Sequence, residues 1–382
     1  MHSGTRLAGL VGALLGLAAL AGPGQAAAPE RGEIKIGVSV SATGGFSAEA
    51  PHYVNDVRLA EKQINQAGGI NGKKLNVMIF DNQSTNPAAL SALNKAVEQD
   101  KVLAYIGGNK STQILAMSDA IKAFGVPTLV GGTNATITKQ GNPWLFRCRV
   151  SDEIVGAILV KYVKDELKLT KIGIIHSNEA FGSGGADAIE QYAKQFGLKV
   201  VARERLNLGD RDFTAQLLTL KKAGTEVLIP YSAGTEEFAR ILVQYKQMGA
   251  PFKFMGPPAI AQKPTLDLAR DSAEGLMGFV DSVSGMSPAN KKFVEAYQKE
   301  FNGAEPDPQA PWSYDAVYLL ANAIRKVGED RTKIREALLA TKGFEGALGT
   351  YTFSADGDGL RGGPIAVIKN GKPQLVKMIS LN

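Results

Sequence analysis

Apolar residues in this chain fall into two alternating rhythms. Residues 34–40, Ile-Lys-Ile-Gly-Val-Ser-Val, alternate as a strand does. Val54, Val57, Leu59, Ala60 and Ile64 then recur at helical spacing until Gly68-Gly69 stops them. Residues 75–80 predict a second strand, about 87–99 a helix, and 102–106 a third strand that breaks at Gly107-Gly108. A helix follows to Phe124, with Ser111 and Thr112 where an N-cap hydroxyl belongs, and the short strand behind it breaks again at Gly131-Gly132. The order βαβαβαβ predicts a parallel, doubly wound sheet.

Past Val150 the grammar restarts. It predicts a helix over 151–167, a strand over 171–175, a helix over 184–196, a strand over 198–203, a helix over 213–223, a strand over 227–229, a helix over 235–248 and a strand over 252–255. The stretch 34–80 thus has a counterpart in 171–203, which predicts two similar lobes. The remainder is less rhythmic: a strand over 275–284, helices over 290–301, 313–327 and 331–341, and strands over 348–353, 364–369 and 375–379. Asp356-Gly-Asp358-Gly and Asn370-Gly-Lys372 read as turns.

In a parallel sheet both double-glycine breaks fall at carboxyl ends of strands, the edge where ligands collect. Free amides, a helix N-terminus and short polar side chains there suit a carboxylate. Two ordinary strand-to-helix turns are the plainer account of either break alone, but the pair points to a binding cleft.

Catalytic signatures are sparse. Gly182-Ser-Gly-Gly resembles a dinucleotide loop, but Asp187 stands at the third glycine's place, where it would repel a pyrophosphate. Three histidines leave no His-rich metal site, and there is no Walker lysine motif or nucleophile elbow. No cofactor is expected, and an enzyme is the weaker hypothesis.

The length of 382 residues favours two lobes over one core. A net charge of +6, spread as scattered Lys and Arg, argues against a nucleic-acid partner. The first 26 residues read as an export leader, with an apolar stretch over 7–21, Gly22-Pro23-Gly24 and small residues up to Ala26. The expected address is the periplasm. Cys148, the only cysteine, reads as a buried structural thiol.

Residues 60–75, Ala-Glu-Lys-Gln-Ile-Asn-Gln-Ala-Gly-Gly-Ile-Asn-Gly-Lys-Lys-Leu, carry a specific resemblance. With Tyr105-Ile-Gly, Phe254-Met-Gly-Pro, Ser272-Ala-Glu-Gly and Tyr314-Asp-Ala, the chain resembles the type I periplasmic substrate-binding proteins of branched-chain amino acid ABC transporters. The resemblance implies an α/β fold of two Rossmann-like lobes with parallel sheets, joined by a three-strand hinge near 146–150, 279–284 and 344–351. The expected division is 27–147 with 282–347 for the N-terminal lobe, and 148–281 with 348–382 for the C-terminal lobe. It implies a monomer that closes on a small ligand and presents it to membrane permease subunits.

By the same resemblance, a ligand carboxylate is held by the loop of Asn109, Lys110, Ser111 and Thr112, and by Gly132, Thr133 and Asn134. Phe181, Tyr231 and Pro258 match second-lobe positions. Relatives that bind leucine-like ligands carry a glutamate for the α-ammonium where Pro258 stands, and a tyrosine where Phe181 stands. Either Glu49 or another carboxylate replaces the lost acceptor, or the ligand is not an α-amino acid but a hydroxy acid, aromatic acid or amide. Lys110 either helps to bind a carboxylate or is a solvated rim charge. A ligand-sensing receptor of the same fold is the alternative to a transport role.

Overall fold

A computed structural model of the chain describes residues 32–380, so the expected leader lies outside the described residues. The first sheet is built from β1 (Glu33–Val40), β2 (Lys74–Asp81), β3 (Ala104–Ile106), β4 (Thr128–Val130) and β5 (Leu145–Arg147), in the order β2-β1-β3-β4-β5. All its pairings are parallel. Between these strands run α1 (Ala50–Gln66), α2 (Asn86–Asn94), α3 (Ser111–Phe124) and the short α4 (Thr136–Lys139). The helix expected over 87–99 ends in one π-helical turn at Lys95–Gln99. Gly125 stops α3 in the left-handed region at φ 56°, where a glycine carries no steric penalty.

The second sheet takes β6 (Lys171–Ser177), β7 (Lys199–Leu206), β8 (Val227–Tyr231), β9 (Lys253–Gly256) and β10 (Met277–Phe279) in parallel. Its helices are α5 (Asp152–Asp165), α6 (Ala180–Phe196), α7 (Thr214–Lys222), α8 (Thr235–Gln247) and α9 (Lys263–Ala269). After β10 the chain returns to the first sheet's side as α10 (Pro288–Glu300), α11 (Pro311–Val327) and α12 (Arg331–Leu339), with α11 lying against α1 and β3. A two-stranded ribbon, β11 (Phe344–Glu345) with β12 (Thr350–Tyr351), leads to the antiparallel hairpin β13 (Gly362–Lys369) and β14 (Lys372–Ser380). The full order of the second sheet is β14-β13-β10-β9-β8-β6-β7. Asn370 and Gly371 both have positive φ, as a tight hairpin turn requires.

The fold is therefore two Rossmann-like lobes between which the chain crosses three times, between β5 and α5, between β10 and α10, and between α12 and β13. Three strands are shorter than their apolar patterns predict, β3 losing its first two expected residues. Within 275–284 only Met277–Phe279 pairs, because the chain then leaves the sheet and Asp281 turns to Arg149. Within 348–353 only Thr350–Tyr351 pairs, and only with β11.

Candidate functional site

The tips of β3 and β4 are made by glycines for reasons of packing. A side chain on Gly131 would place its Cβ 2.3 Å from the Trp312 ring, which is buried against this turn. Gly108 holds φ +81° beside the Ser39 carbonyl. These turns bring the loop 109–112 and the loop 132–134 side by side: the Asn134 amide donates to Ser111 Oγ at 3.2 Å.

Ser111 and Thr112 do not cap their own helix. The N-cap of α3 is Lys110, with no side-chain cap, and Ser111 and Thr112 are the first two helical residues. Their hydroxyls turn outward instead, Ser111 to the neighbouring loop and Thr112 to the opposite lobe. First-turn amides of a helix have no intrahelical acceptor, so the positive end of α3 is directed at the space between the lobes.

On the opposite side α6 begins at Ala180, four residues before the expected start, because Glu179 caps it. Its carboxylate accepts from the amides of Phe181 and Gly182, each at 2.7 Å, and from Ser177 Oγ at 2.8 Å. Thr112 Oγ1 also donates to Glu179 at 3.3 Å and accepts from the Ala180 amide at 3.4 Å. Asn134 Nδ2 donates to the Ala180 carbonyl at 2.6 Å. The lobes are thus in contact across the strand tips.

Between them lies a cavity of about 180 Å³, lined on the first lobe by Phe46, Asn109, Lys110, Ser111, Thr112 and Gln113. The second lobe adds Glu179, Phe181, Ser232, Ala233, Ala259 and Gln262, while Arg149 and Gln309 close the hinge end. This is below the range of roughly 300–1,000 Å³ typical of drug-sized ligands, so it suits a small metabolite. A larger space of about 600 Å³ opens between α1, α9 and α10, but no predicted site residue lines it.

Of the predicted residues, Asn109, Lys110, Ser111, Thr112 and Phe181 line the cavity together. Gly132, Thr133, Asn134, Tyr231, Pro258 and Glu49 stand behind that lining. Gly132 packs on Ile114 and Ile137, and the Thr133 carbonyl accepts from Arg147 at 2.6 Å. Tyr231 lies 4.8 Å, ring to ring, from Phe181 and donates to Asp152 at 2.8 Å. Burial raises the Asp152 carboxyl to about 7. Pro258 is buried at the start of a 3-10 turn whose Ala259 reaches the cavity.

Lys110 is not a solvated rim charge. Its side chain is 11% exposed, bonds Glu49 at 2.7 Å and lies 4.0 Å from the centre of the Phe46 ring. Glu49 also accepts from Asn109 at 2.9 Å, so its charge already has a partner.

Arg149, Glu179, Gln262 and Gln309 escaped the reading of the residues. The one signal for Arg149 is its place inside the predicted first crossover, 146–150. Its guanidinium is held by Asp281 of the second crossover at 3.0 and 2.8 Å, and by the Gly131 carbonyl at 3.0 Å. Burial opposes the Arg149 charge, but Asp281, with Tyr53 and Asp152 behind it, outweighs that cost and holds the guanidinium charged. Arg147 is likewise fastened to Asp358, which serves as more than a turn residue, at 2.6 Å.

Among the described residues no cluster of three or more His, Cys, Asp or Glu is placed to hold a metal. None of their helices is long and apolar enough to cross a membrane. The periplasmic binding protein family model matches residues 33–372. The leucine-, isoleucine-, valine-, threonine- and alanine-binding protein of Pseudomonas aeruginosa is 30% identical over 330 residues, covering 85% of this chain and 87% of that protein. The isoleucine complex of LivJ from Streptococcus pneumoniae aligns at a TM-score of 0.84 and 28% identity, over 91% of this chain and 100% of that one. A benzoate complex of a solute-binding protein from R. palustris shares the fold at a TM-score of 0.83 and 19% identity, over 91% and 96% of the two chains. With its two crossed-over α/β lobes and a cavity at their strand tips, the chain belongs to the type I periplasmic binding proteins of the branched-chain amino acid family.

Proposed function

We propose that this protein captures a small carboxylate-bearing or amino-acid-like solute in the periplasm by closing its lobes, and delivers it to the permease of an ABC importer. It acts as a monomer and binds without turnover. The lobes in this reading are 27–147 with 282–347 and 148–281 with 348–382. The observation that carries it is the uncapped N-terminus of α3 lining a small cavity between them. Such a helix end attracts a carboxylate.

Asn109, Lys110, Ser111, Thr112 and Phe181 would touch the solute. Gly132, Thr133, Asn134, Tyr231, Pro258 and Glu49 would shape and brace that lining. A solute other than an α-amino acid is favoured by Pro258 and by the engagement of Glu49 with Lys110. Native mass spectrometry of the purified protein, followed by a thermal-shift screen of amino, hydroxy and aromatic acids, tests the proposal. Capture predicts one intact small molecule per chain and a raised Tm. A bound compound converted on incubation would instead indicate an enzyme.

A further inference from the structure

Arg149 comes from the hinge, where a brace between crossovers is the simplest use for a buried guanidinium. Its contacts go further than a brace needs. Nε and one Nη2 hydrogen meet Asp281, and one Nη1 hydrogen meets the Gly131 carbonyl. That leaves two of its five N–H groups, one on each terminal nitrogen, side by side. With the Gln309 amide turned oxygen-first, both remaining hydrogens converge on that single neutral oxygen, at 2.6 and 2.9 Å. A fork of two N–H groups matches the two oxygens of a carboxylate, and the charged pairing is stronger than one with a neutral amide. Arg149 and Gln309 both line the cavity, next to Gln262.

Three acidic groups at the cavity and its hinge end are already engaged. Asp281 holds Arg149, Glu49 holds Lys110, and Glu179 accepts from Ser177, Phe181, Gly182 and Thr112. An ammonium entering the cavity would find no carboxylate without a partner among these three. The negative pole of a ligand, in contrast, meets both Arg149 and the positive end of α3.

Resting on the solute-capture reading above, we propose that Arg149 is the acid-recognising residue of the cavity. The Gln309 amide oxygen holds the place of a ligand carboxylate oxygen, and the ligand class is a small carboxylic acid without an ammonium group. Binding displaces Gln309 from the fork while Asp281 keeps the guanidinium oriented.

The test is calorimetric titration of the protein with matched compounds, after unfolding and refolding to strip any bound solute. The probes are 4-methylpentanoate beside leucine and 4-methylpentanamide, 3-phenylpropanoate beside phenylalanine and its deaminated amide, and benzoate beside benzamide. The proposal expects the best-bound acid to exceed its amino acid and amide counterparts at least tenfold. It also expects Gln309→Glu, which puts a carboxylate on the fork permanently, to weaken that acid at least tenfold while the unliganded Tm is kept or raised. Arg149→Lys should lose the preference for acid over amide, because an ammonium has no fork. Since that variant removes a buried ion-pair partner and can fail to fold, Gln309→Glu is the deciding one. Tighter binding of an amino acid than of its acid, or unchanged acid binding in Gln309→Glu, overturns the inference and leaves solute capture standing. Binding of no compound by a folded, stripped protein, with no solute in its native mass spectrum, counts against capture itself, and the inference falls with it.

Discussion

Asn134 Nδ2 reaches across the cleft to the backbone carbonyl of Ala180 at 2.6 Å, tying the loop after β4 to the first turn of α6. The bond has room because residue 184, one turn further along α6, has no side chain. A Cβ there would stand 2.3 Å from that same nitrogen. Together with the two Thr112 contacts to Glu179 and Ala180, it is a latch that exists only when the lobes meet. Closure is then a population shift to which the ligand adds its own differential binding energy.

The latch can be cut without touching the core. Asn134→Ala should weaken ligand binding by about 1–3 kcal/mol, the usual range for an unpaired buried acceptor. Gly184→Ala should weaken it too, by pushing the Asn134 amide off Ala180. The unliganded protein should keep or raise its Tm, since alanine favours a helix interior. Calorimetry and thermal unfolding on the two variants check both halves of this expectation.

Lys110 and Glu49 are buried together, with side-chain exposures of 11% and 6%. Removing one partner leaves the other charge uncompensated, at a cost of about 3–5 kcal/mol. Lys110→Met alone should therefore destabilise more than Lys110→Met combined with Glu49→Gln. Urea unfolding of the two single variants and the double variant measures the coupling.

Asp152 gives the protein a pH-dependent stability. Its carboxyl lies at about 7 in the folded chain because burial outweighs the opposing pull of the Thr133 and Tyr231 hydroxyls and of Arg147 and Arg149. An unfolded aspartate titrates near 3.9. The native state thus holds a proton that the unfolded state has released. This contribution is complete below about pH 4, falls as pH rises, and is gone above about pH 7, a change of up to about 4 kcal/mol. Asp152→Asn keeps a partner for Tyr231 and should flatten this part of the profile, gaining most over wild type above pH 7. Asp56, raised by burial and with neither oxygen hydrogen-bonded, contributes in the same direction. Thermal unfolding of wild type and Asp152→Asn at pH 5 and 7.5 separates the Asp152 share.

Local rhythm made most of this architecture legible. Strands such as Ile34-Lys-Ile-Gly-Val and the helix 111–124 follow directly from apolar spacing, and the double glycines marked the strand tips that line the cleft. What spacing does not carry is who meets whom. Gly182-Ser-Gly-Gly looked like loop, yet Glu179 accepts two amides there and starts α6 earlier. Thr112 has the composition of a cap, but its partner is 67 residues away on the other lobe. Arg149 acquires its role only when Asp281, 132 residues on, fixes its guanidinium beside Gln309. Each of these depends on a contact made by tertiary folding, for which no local period exists.

The claim on which the rest depends is that a solute is held between two moving halves. Small-angle X-ray scattering of the stripped and refolded protein, with and without a saturating ligand from the thermal-shift screen, addresses it directly. The account predicts a smaller radius of gyration with ligand than without, and a loss of that contraction in Gly184→Ala. Superimposable curves for the wild type, with saturation confirmed by calorimetry on the same sample, would contradict it.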